Sequence, residues 1–197
     1  MNKIDNIPCV ILSGGRSSRM GEDKSFLSFG NYNTLIEYQY NKLSKIFSNI
    51  YVSTKTDKFN FTNNMNLILD NDKNISSPMV ALQSIFNKLS NNKIFIITVD
   101  IPLIETSTIL KLIENSKEFD ITIAIDKDKQ HNLCGVFSHT IANNVNNLLS
   151  KDIHKINYLI KQTNNYKEIY FKNQSQFINI NNIDDYKKAK LISNSYI

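Results

Sequence analysis

The chain has 197 residues, 41% of them hydrophobic and 21% charged, with a formal net charge of +5. This length suits one domain, expected to span residues 1–197, and allows a well-buried core. The lysines are spread along the chain rather than clustered into a basic stripe, so nucleic acid is not the expected partner. No run approaches the roughly 18 apolar residues of a membrane span, and the N-terminus lacks the apolar stretch of a signal peptide. We therefore expect a cytoplasmic protein without membrane contacts.

The first two-thirds of the chain alternates predicted strands with predicted helices. A short apolar run at 8–12 gives the first strand, and Thr34 with Glu37 has the spacing of a capping box that opens a helix. Pro78 suits the first turn of a second helix. The remaining elements are strands at 50–53, 67–70, 94–99 and 120–125 and a helix at 106–115. This alternation predicts an α/β, Rossmann-like fold with three layers and a mostly parallel sheet.

Beyond residue 126 the alternation is looser. A polar turn at 126–130 precedes a strand at 133–137. Two helices are indicated by the apolar spacing of Val145, Leu148, Ile156 and Ile160. The last elements are expected as strands at 166–171 and 177–180 and a helix at 184–193. We interpret residues 1–105 as a nucleotide-binding half and residues 106–197 as a substrate-side half.

A thirteen-residue run, 12–24, contains both arginines of the chain and three of its five glycines. Glycine lets the backbone approach an anion and point N–H groups at it, and arginine supplies a fork of donors for phosphate oxygens. The run lacks the G-x-x-x-x-G-K-[ST] pattern of kinases and GTPases. We predict that the backbone N–H groups of residues 13–15 bind phosphate, while Arg19 and Lys24 neutralise a polyphosphate. The alternative interpretation is a tight turn with surface charges.

Polar residues follow four of the predicted strands, namely the loop at 13–15, Ser53, Asp70 and Asp100. The carboxyl ends of parallel strands meet at one edge of a sheet, where ligands bind near the switch in strand order, so we expect one crevice. Asp100 suits a Mg²⁺ ion bound to the α-phosphate of a nucleoside triphosphate, or it caps the next turn. Asp70 suits the paired N–H donors of guanine, or it is only a turn residue.

Asn179 and Asn181 alternate along the last predicted strand and should face the same side. Their amides suit a metal ligand, a phosphate or a polar ring. In a chain so rich in asparagine, however, such a pair also arises by chance.

The cysteines and histidines show no catalytic or metal-binding spacing. Cys9 and Cys134 lie far apart in apolar runs, which indicates buried, unpaired thiols. The histidines lack partners at metal or triad spacing, so we expect all of them at the surface or its boundary: His131, His139 and His154.

With these residues in place, the chain resembles the nucleotidyltransferases that begin with an L-x-G-G-x-S-x-R-M-G-x-D-K loop, most closely the molybdenum cofactor guanylyltransferases. Residues 12–24 match this loop at every defining position. Further similarities are Asp70 after the third strand, the P-M-V-A-L run at 78–82, D-I-P at 100–102, H-N-L at 131–133 and F-I-N-I-N at 177–181. The resemblance covers nearly the full chain and implies a fold of the nucleotide-diphospho-sugar transferase type.

The resemblance implies transfer of GMP from GTP to the terminal phosphate of molybdopterin carrying molybdenum, with release of pyrophosphate and with Mg²⁺ as cofactor. Lys24, Asp100 and Arg19 would be catalytic, and Asp100 would hold the metal. Asn179 and Asn181 would bind the second substrate. The nucleotide would be bound by Leu12, Ser13, Gly14, Gly15, Lys24, Ser53, Asp70 and Asp100.

The sequence departs from the family pattern at two places. Ser53 stands where the family often has asparagine, and Ser77 and Ala81 replace two glycines. A cytidylyltransferase or a sugar-1-phosphate nucleotidyltransferase is an alternative, because the glycine-rich loop binds the triphosphate and does not determine which base is bound. A nucleotide-binding regulator without turnover is another. The expected partners are GTP and the molybdopterin cofactor, together with proteins that deliver the cofactor or mature molybdoenzymes.

Overall fold

The computed structural model describes residues 3–14, 23–59 and 65–194. These residues contain one seven-stranded sheet with the strand order β3-β2-β1-β4-β6-β5-β7. Its strands are β1 Cys9–Leu12, β2 Ile50–Thr54, β3 Asn66–Leu69, β4 Lys93–Thr98, β5 Ile121–Ile125, β6 Gln130–Ser138 and β7 Tyr166–Tyr170. β6 is antiparallel to both of its neighbours, whereas the other neighbouring pairs are parallel. The prediction of a mostly parallel sheet is confirmed.

Helices cover both faces of the sheet. They are α1 Leu35–Leu43, α2 Pro78–Lys88, α3 Thr106–Glu114, α4 Ala142–Leu149, α5 Ile156–Gln162 and α6 Ile183–Asn194. Successive residues of a strand point to opposite faces. Cys9 and Ile11 of β1 therefore belong to the apolar cluster with α1, α3 and α6, and Val10 and Leu12 to the cluster with α2, α4 and α5. The three predicted layers are confirmed. In the part of the chain that the structure describes, no helix is long and apolar enough to cross a membrane.

Side-chain caps set the first residues of two helices. The Thr34 hydroxyl accepts the Glu37 N–H at 3.2 Å, which confirms Thr34 as the N-cap, and it donates to the Glu37 carboxylate at 2.8 Å. In a full capping box the carboxylate would instead accept the backbone N–H of Thr34. The Ser77 hydroxyl accepts the Met79 N–H at 3.1 Å, and Pro78 occupies the first turn of α2. Both helix starts were thus recognisable from local sequence.

The order of connections creates a switch point beside β1. The chain passes from β1 outward to β2 and β3, and then returns to β4 on the other side of β1. In open α/β sheets, ligands bind at such a point, outside the carboxyl ends of the strands. The switch point here lies between the ends of β1 and β4, at residues 12–14 and 98–100.

The strand expected at 177–180 is absent. Ser175–Phe177 forms a 3₁₀ turn, and the residues after it are irregular. The Ile180 N–H donates to the carbonyl of Asp100 at 2.9 Å, which attaches this segment to the turn after β4. Because β1 and β4 each have a neighbouring strand on both sides, neither offers an edge on which this segment could form a ladder.

β6 extends the strand expected at 133–137 in both directions. Its pairing with β5 shifts register between Ile123 and Ala124. A Cβ atom built at Gly135 would overlap the carbonyl oxygen of Thr122. The residue at position 135 must therefore lack a side chain for the two strands to approach this closely.

Candidate active site

A cavity of about 340 Å³ opens at the carboxyl ends of β1, β2, β3 and β4. The residues predicted for the site that line it are Leu12, Gly14, Ser53, Asp70, Asp100 and Asn179. The expected convergence of the strand ends is therefore observed. Which groups of a ligand these residues contact stays a prediction.

Lys24 joins two distant parts of the chain beside this cavity. Its Nζ lies 3.3 Å from Oδ2 of Asp100 and 3.2 Å from Oδ1 of Asn181. A short 3₁₀ helix begins at Lys24, and Asp23 caps it by accepting the Ser25 N–H at 3.0 Å. The Lys24 and Asp100 side chains are 17% and 18% exposed. Charges so placed can contact a ligand while they remain partly shielded from water, which strengthens their interaction with it.

Two buried carboxylate or amide oxygens of the cavity wall have no hydrogen-bond partner among the described residues, namely Oδ1 of Asp100 and Oδ1 of Asn179, and the same holds for the Thr98 hydroxyl. A buried polar atom without a partner costs about 1–3 kcal/mol, so such atoms in a cavity wall point to a ligand. Mg²⁺ is typically held by one or two carboxylates together with substrate phosphates and water. The two oxygens therefore fit a hard divalent cation. Among the described residues there is no group of three or more acidic, His or Cys side chains that could hold a metal by itself.

Asp70 lies at the other end of the cavity and is 6% exposed. Burial raises the pKa of this carboxyl, although the Ser53 hydroxyl and the charge of Lys55 act in the opposite direction. The Ser53 hydroxyl donates to Oδ1 of Asp70 at 3.4 Å, a long hydrogen bond. A buried carboxylate that the protein satisfies so weakly is suited to accept N–H groups from a ligand.

Ser13 is built more deeply into the sheet than the sequence suggests. Its N–H donates to the carbonyl of Ser53 at 2.8 Å, which extends the β1–β2 pairing by one residue. Its hydroxyl lies 2.6 Å from that of Ser25, and both side chains are buried. The prediction that the Ser13 N–H faces phosphate is therefore wrong, because the sheet already uses it. The hydroxyl contact instead ties the end of β1 to the 3₁₀ helix that presents Lys24.

Gly14 leaves open space at the end of β1. A Cβ built at this position meets no heavy atom of the described residues within 4 Å, so packing against them does not require glycine here. The missing side chain keeps the cavity accessible, which suits close approach of a ligand to the backbone. The predictions for Gly15 and Arg19 lie outside the described residues.

Helix α1 holds the turn that follows β4. The Gln39 side chain donates to the carbonyl of Ile101 at 2.9 Å, and Lys42 Nζ donates to the carbonyl of Pro102 at 2.8 Å. Burial lowers the pKa of Lys42 to about 8, against the opposing effect of Glu105. These bonds fix the backbone directly after the carboxylate that ends β4. A larger cavity, of about 550 Å³, lies beside α1 and shares no lining residue with the strand-end cavity.

His131 is buried, although the sequence places it at the surface or boundary. Its Nε2 lies 2.8 Å from Oδ2 of Asp126, and its ring stacks on Phe177 with centroids 4.1 Å apart. Burial lowers the pKa of His131, and the Asp126 carboxylate opposes this without cancelling it, so the neutral imidazole is favoured. Phe177 begins the segment that carries Asn179 and Asn181. His131 therefore supports that segment from the β5–β6 side.

Sequence reasoning missed part of the cavity wall. The additional lining residues include Lys55, Ser76, Thr98 and Leu133. Lys55 carried a usable signal, because it lies two residues after a predicted strand, at 50–53, whose end was expected at the crevice. Thr98 and Leu133 carried none, because they belong to strands and only the folded sheet shows that they border the cavity.

A family model described as the MobA-like NTP transferase domain matches residues 9–166. The chain belongs to this family. A molybdenum cofactor guanylyltransferase from Campylobacter jejuni subsp. doylei is 40% identical over 190 residues, which cover 95% of this chain and 97% of the relative. A protein of the same name from Helicobacter pylori strain G27 is 31% identical over 191 residues, covering 94% and 92% of the two chains. The predicted family resemblance is confirmed.

A solved structure shares the fold of this MobA-like protein. Molybdopterin-guanine dinucleotide biosynthesis protein A from Archaeoglobus fulgidus superimposes with a TM-score of 0.81 over 96% of this chain and 100% of that one. The two sequences are 18% identical, so this likeness concerns the fold. The predicted fold class is confirmed.

Proposed function

We propose that the protein transfers the GMP group of GTP to the terminal phosphate of molybdenum-bearing molybdopterin and releases pyrophosphate. The family membership and the near full-length similarity to proteins named molybdenum cofactor guanylyltransferase support this reaction. One observation in the site carries it. Lys24 and Asp100 are paired at the switch point of the sheet, where Oδ1 of Asp100 and Oδ1 of Asn179 are buried without a partner in the part of the chain that the structure describes.

The reaction needs little from the protein in the way of proton transfer. The attacking group is a phosphate oxygen that is already anionic, so a general base is not required. An oxygen–phosphorus bond forms at the α-phosphorus of GTP, and pyrophosphate leaves with the electrons of the bond that breaks. Catalysis is then a matter of positioning and of neutralising charge.

In this proposal the two ends of the cavity bind different parts of the nucleotide. Lys24 neutralises the charge that develops on the transferred phosphate, and Asn181 holds the lysine side chain in place. Asp100 and Asn179 would hold Mg²⁺, which when bound supplies further positive charge to the phosphates. Asp70 accepts N–H groups of the base at the other end.

The proposal is tested by incubating the protein with GTP, Mg²⁺ and molybdenum-bearing molybdopterin. We expect pyrophosphate release that depends on all three, and a guanine dinucleotide product detected by mass spectrometry. Replacing GTP by CTP or ATP should reduce the rate strongly. Faster turnover with CTP would instead assign the protein to cytidylyl transfer. Binding of GTP without pyrophosphate release would indicate a regulator.

A further inference from the structure

Lys55 is a charged residue of the cavity wall to which the preceding assignment gives no task. It follows β2 directly and lines the same cavity as Asp70, the residue after β3. The two side chains are close enough for the charge of Lys55 to lower the pKa of Asp70 against the effect of burial. A cation thus stands beside the buried carboxylate at this end of the cavity.

The strand order separates this pair from the Lys24–Asp100 pair. β3 and β2 lie on one side of β1, and β4 lies on the other. Neighbouring strands are about 4.8 Å apart, so the end of β4 lies roughly 10 Å from the end of β2, which precedes Lys55, and roughly 14 Å from the end of β3, which precedes Asp70. A phosphate held at Asp100 is therefore too far from Asp70 to contact both carboxylates. If the triphosphate lies beside Asp100 and Lys24, the end with Lys55 and Asp70 faces the base.

The chemistry of the pair matches the edge of guanine. The Watson–Crick edge of guanine presents two N–H donors, at N1 and N2, next to the acceptor O6. A carboxylate can accept only from the donors, and an ammonium group can donate only to the acceptor. Adenine presents an N–H donor where guanine has O6. A cation beside Asp70 would therefore reject adenine as well as favour guanine.

We propose that Lys55 is a specificity-determining residue that donates a hydrogen bond to O6 of the guanine base while Asp70 accepts from N1 and N2. This inference rests on the proposed function, because it presumes that the nucleotide is GTP. Within the protein, Lys55 Nζ donates to the carbonyl of Lys73 at 3.4 Å. This long bond steers the side chain and leaves N–H donors for a ligand.

The test isolates the contribution of guanine O6 to binding from that of the rest of the nucleotide. Dissociation constants are measured with Mg²⁺ for GTP, for ITP, which lacks the N2 amino group, and for 2-aminopurine riboside triphosphate, which lacks both O6 and the N1 proton. The effect of a Lys55 variant on each nucleotide, rather than the wild-type preference alone, therefore isolates the contact with O6. We expect wild type to bind GTP about tenfold or more tightly than the 2-aminopurine nucleotide. In Lys55→Met, GTP binding should weaken by a similar factor while binding of the 2-aminopurine nucleotide stays unchanged.

Two further variants serve as controls. Lys55→Arg keeps a cationic donor and should retain most of the preference for GTP. Lys73→Met removes an exposed lysine of the same charge near the cavity but keeps the carbonyl that Lys55 contacts, and it should bind all three nucleotides like wild type. Thermal melting of each nucleotide-free variant checks that the fold is intact.

The outcomes distinguish a failure of this assignment from a failure of the proposed function. If Lys55→Met weakens GTP and the 2-aminopurine nucleotide equally, Lys55 contacts phosphate and the assignment is wrong, although GTP can still be the substrate. If wild type does not discriminate between these two nucleotides, O6 is not read at all. If wild type binds CTP more tightly than GTP, the proposed function itself is wrong.

Discussion

The two carboxylate oxygens of Asp100 have different surroundings. Oδ2 is paired with Lys24 at 3.3 Å, whereas Oδ1 is buried and bonds to none of the residues that the structure describes. Asp100 is thus held in place by one oxygen while the other is available to a cation. Replacing the side chain by its amide keeps the shape of the residue and removes the charge, which makes the variant a clean test of this arrangement.

Asp100→Asn should reduce the rate of pyrophosphate release by at least about 100-fold, because it removes a negative charge that holds the cation against the phosphates. The melting temperature should change little, because the Lys24–Asp100 pair is partly exposed and such pairs add little stability. Asp152→Asn, which alters a 95% exposed carboxylate, is the matched control and should behave like wild type. A variant at position 100 that keeps Mg²⁺-dependent turnover would remove Asp100 from the reaction.

Single residues of the site could be predicted where a motif and a strand end coincide. Asp100 follows the most apolar strand, and Lys24 closes the glycine-rich run, so the sequence pointed to both side chains, which the structure pairs beside the cavity. The use of the Ser13 N–H could not be predicted. Whether it stays free depends on the length of the neighbouring strand β2, whose carbonyl at Ser53 accepts it. That is a property of the pairing and not of the loop.

The irregular segment at 177–181 shows how an element without its own ladder is held. Phe177 stacks on His131, the Ile180 N–H bonds to the Asp100 carbonyl, and the Asn181 N–H donates to Asp185 at 3.0 Å. Alternating apolar and polar residues predicted a strand here, but alternation reports only which side chains are buried. Because the neighbouring strands β1 and β4 offer no free edge, the segment buries its apolar side chains by packing against the sheet without pairing to it.

His131→Ala should disturb this segment and the site together. Loss of the stacked ring should lower the free energy of unfolding by about 1–3 kcal/mol and weaken GTP binding in the presence of Mg²⁺ by several-fold. His131→Phe keeps a ring against Phe177 and should restore much of the affinity for GTP. Unfolding in urea and nucleotide titration measure the two effects separately.

His139→Ala is the comparison for this prediction. His139 also packs on an aromatic ring, that of Phe86, and its Nε2 lies 3.0 Å from the Phe86 carbonyl. Neither residue lines the strand-end cavity. The variant should lose stability while keeping wild-type affinity for GTP. Equal affinity for GTP in both alanine variants would show that His131 supports the fold alone.

Across the whole molecule, two buried or partly buried carboxylates should respond to pH in opposite directions. Asp70 has a raised pKa, mainly through burial. Burial also acts to raise the pKa of Asp126, but hydrogen bonds from the Asp128 and Lys129 N–H groups and from His131 outweigh it and lower that pKa. The native state therefore binds the proton of Asp70 more tightly than the unfolded chain does, and the proton of Asp126 less tightly.

The opposite pKa shifts of Asp70 and Asp126 predict opposite changes in the stability of the nucleotide-free protein. Ionised Asp70 costs stability above its raised pKa, so Asp70→Asn should increase the melting temperature near pH 7, and this gain should fade as the pH is lowered through that pKa. Asp126 contributes stability that is lost as the pH falls through its lowered pKa, so Asp126→Asn should melt lower than wild type near pH 7. Thermal melts between about pH 3 and pH 8 measure both. A shift of both variants in the same direction would contradict the assignment.

The overall architecture was predictable because apolar runs and helical patterns alternate, and the three layers follow from burying both faces of the sheet. The order of the strands in the sheet could not be predicted from the sequence. Inserting β6 between β4 and β5, antiparallel to both, depends on which edges are free once the other strands have paired. The sequence carries one trace of that arrangement in Gly135, because a Cβ atom at this position would overlap the Thr122 carbonyl of β5.

The docking of residues 177–181 has a consequence for how the protein is made. Lys24 and Asn181, which bond to each other, are 157 positions apart. A ribosome delivers chains from the N-terminus and early parts tend to fold first, so the floor of the cavity can form while its asparagines are still untranslated. A nascent chain that has not reached position 179 already carries Lys24 and Asp100 but lacks the amide assigned to the cation. Such a chain should bind GTP with Mg²⁺ less tightly than the finished protein.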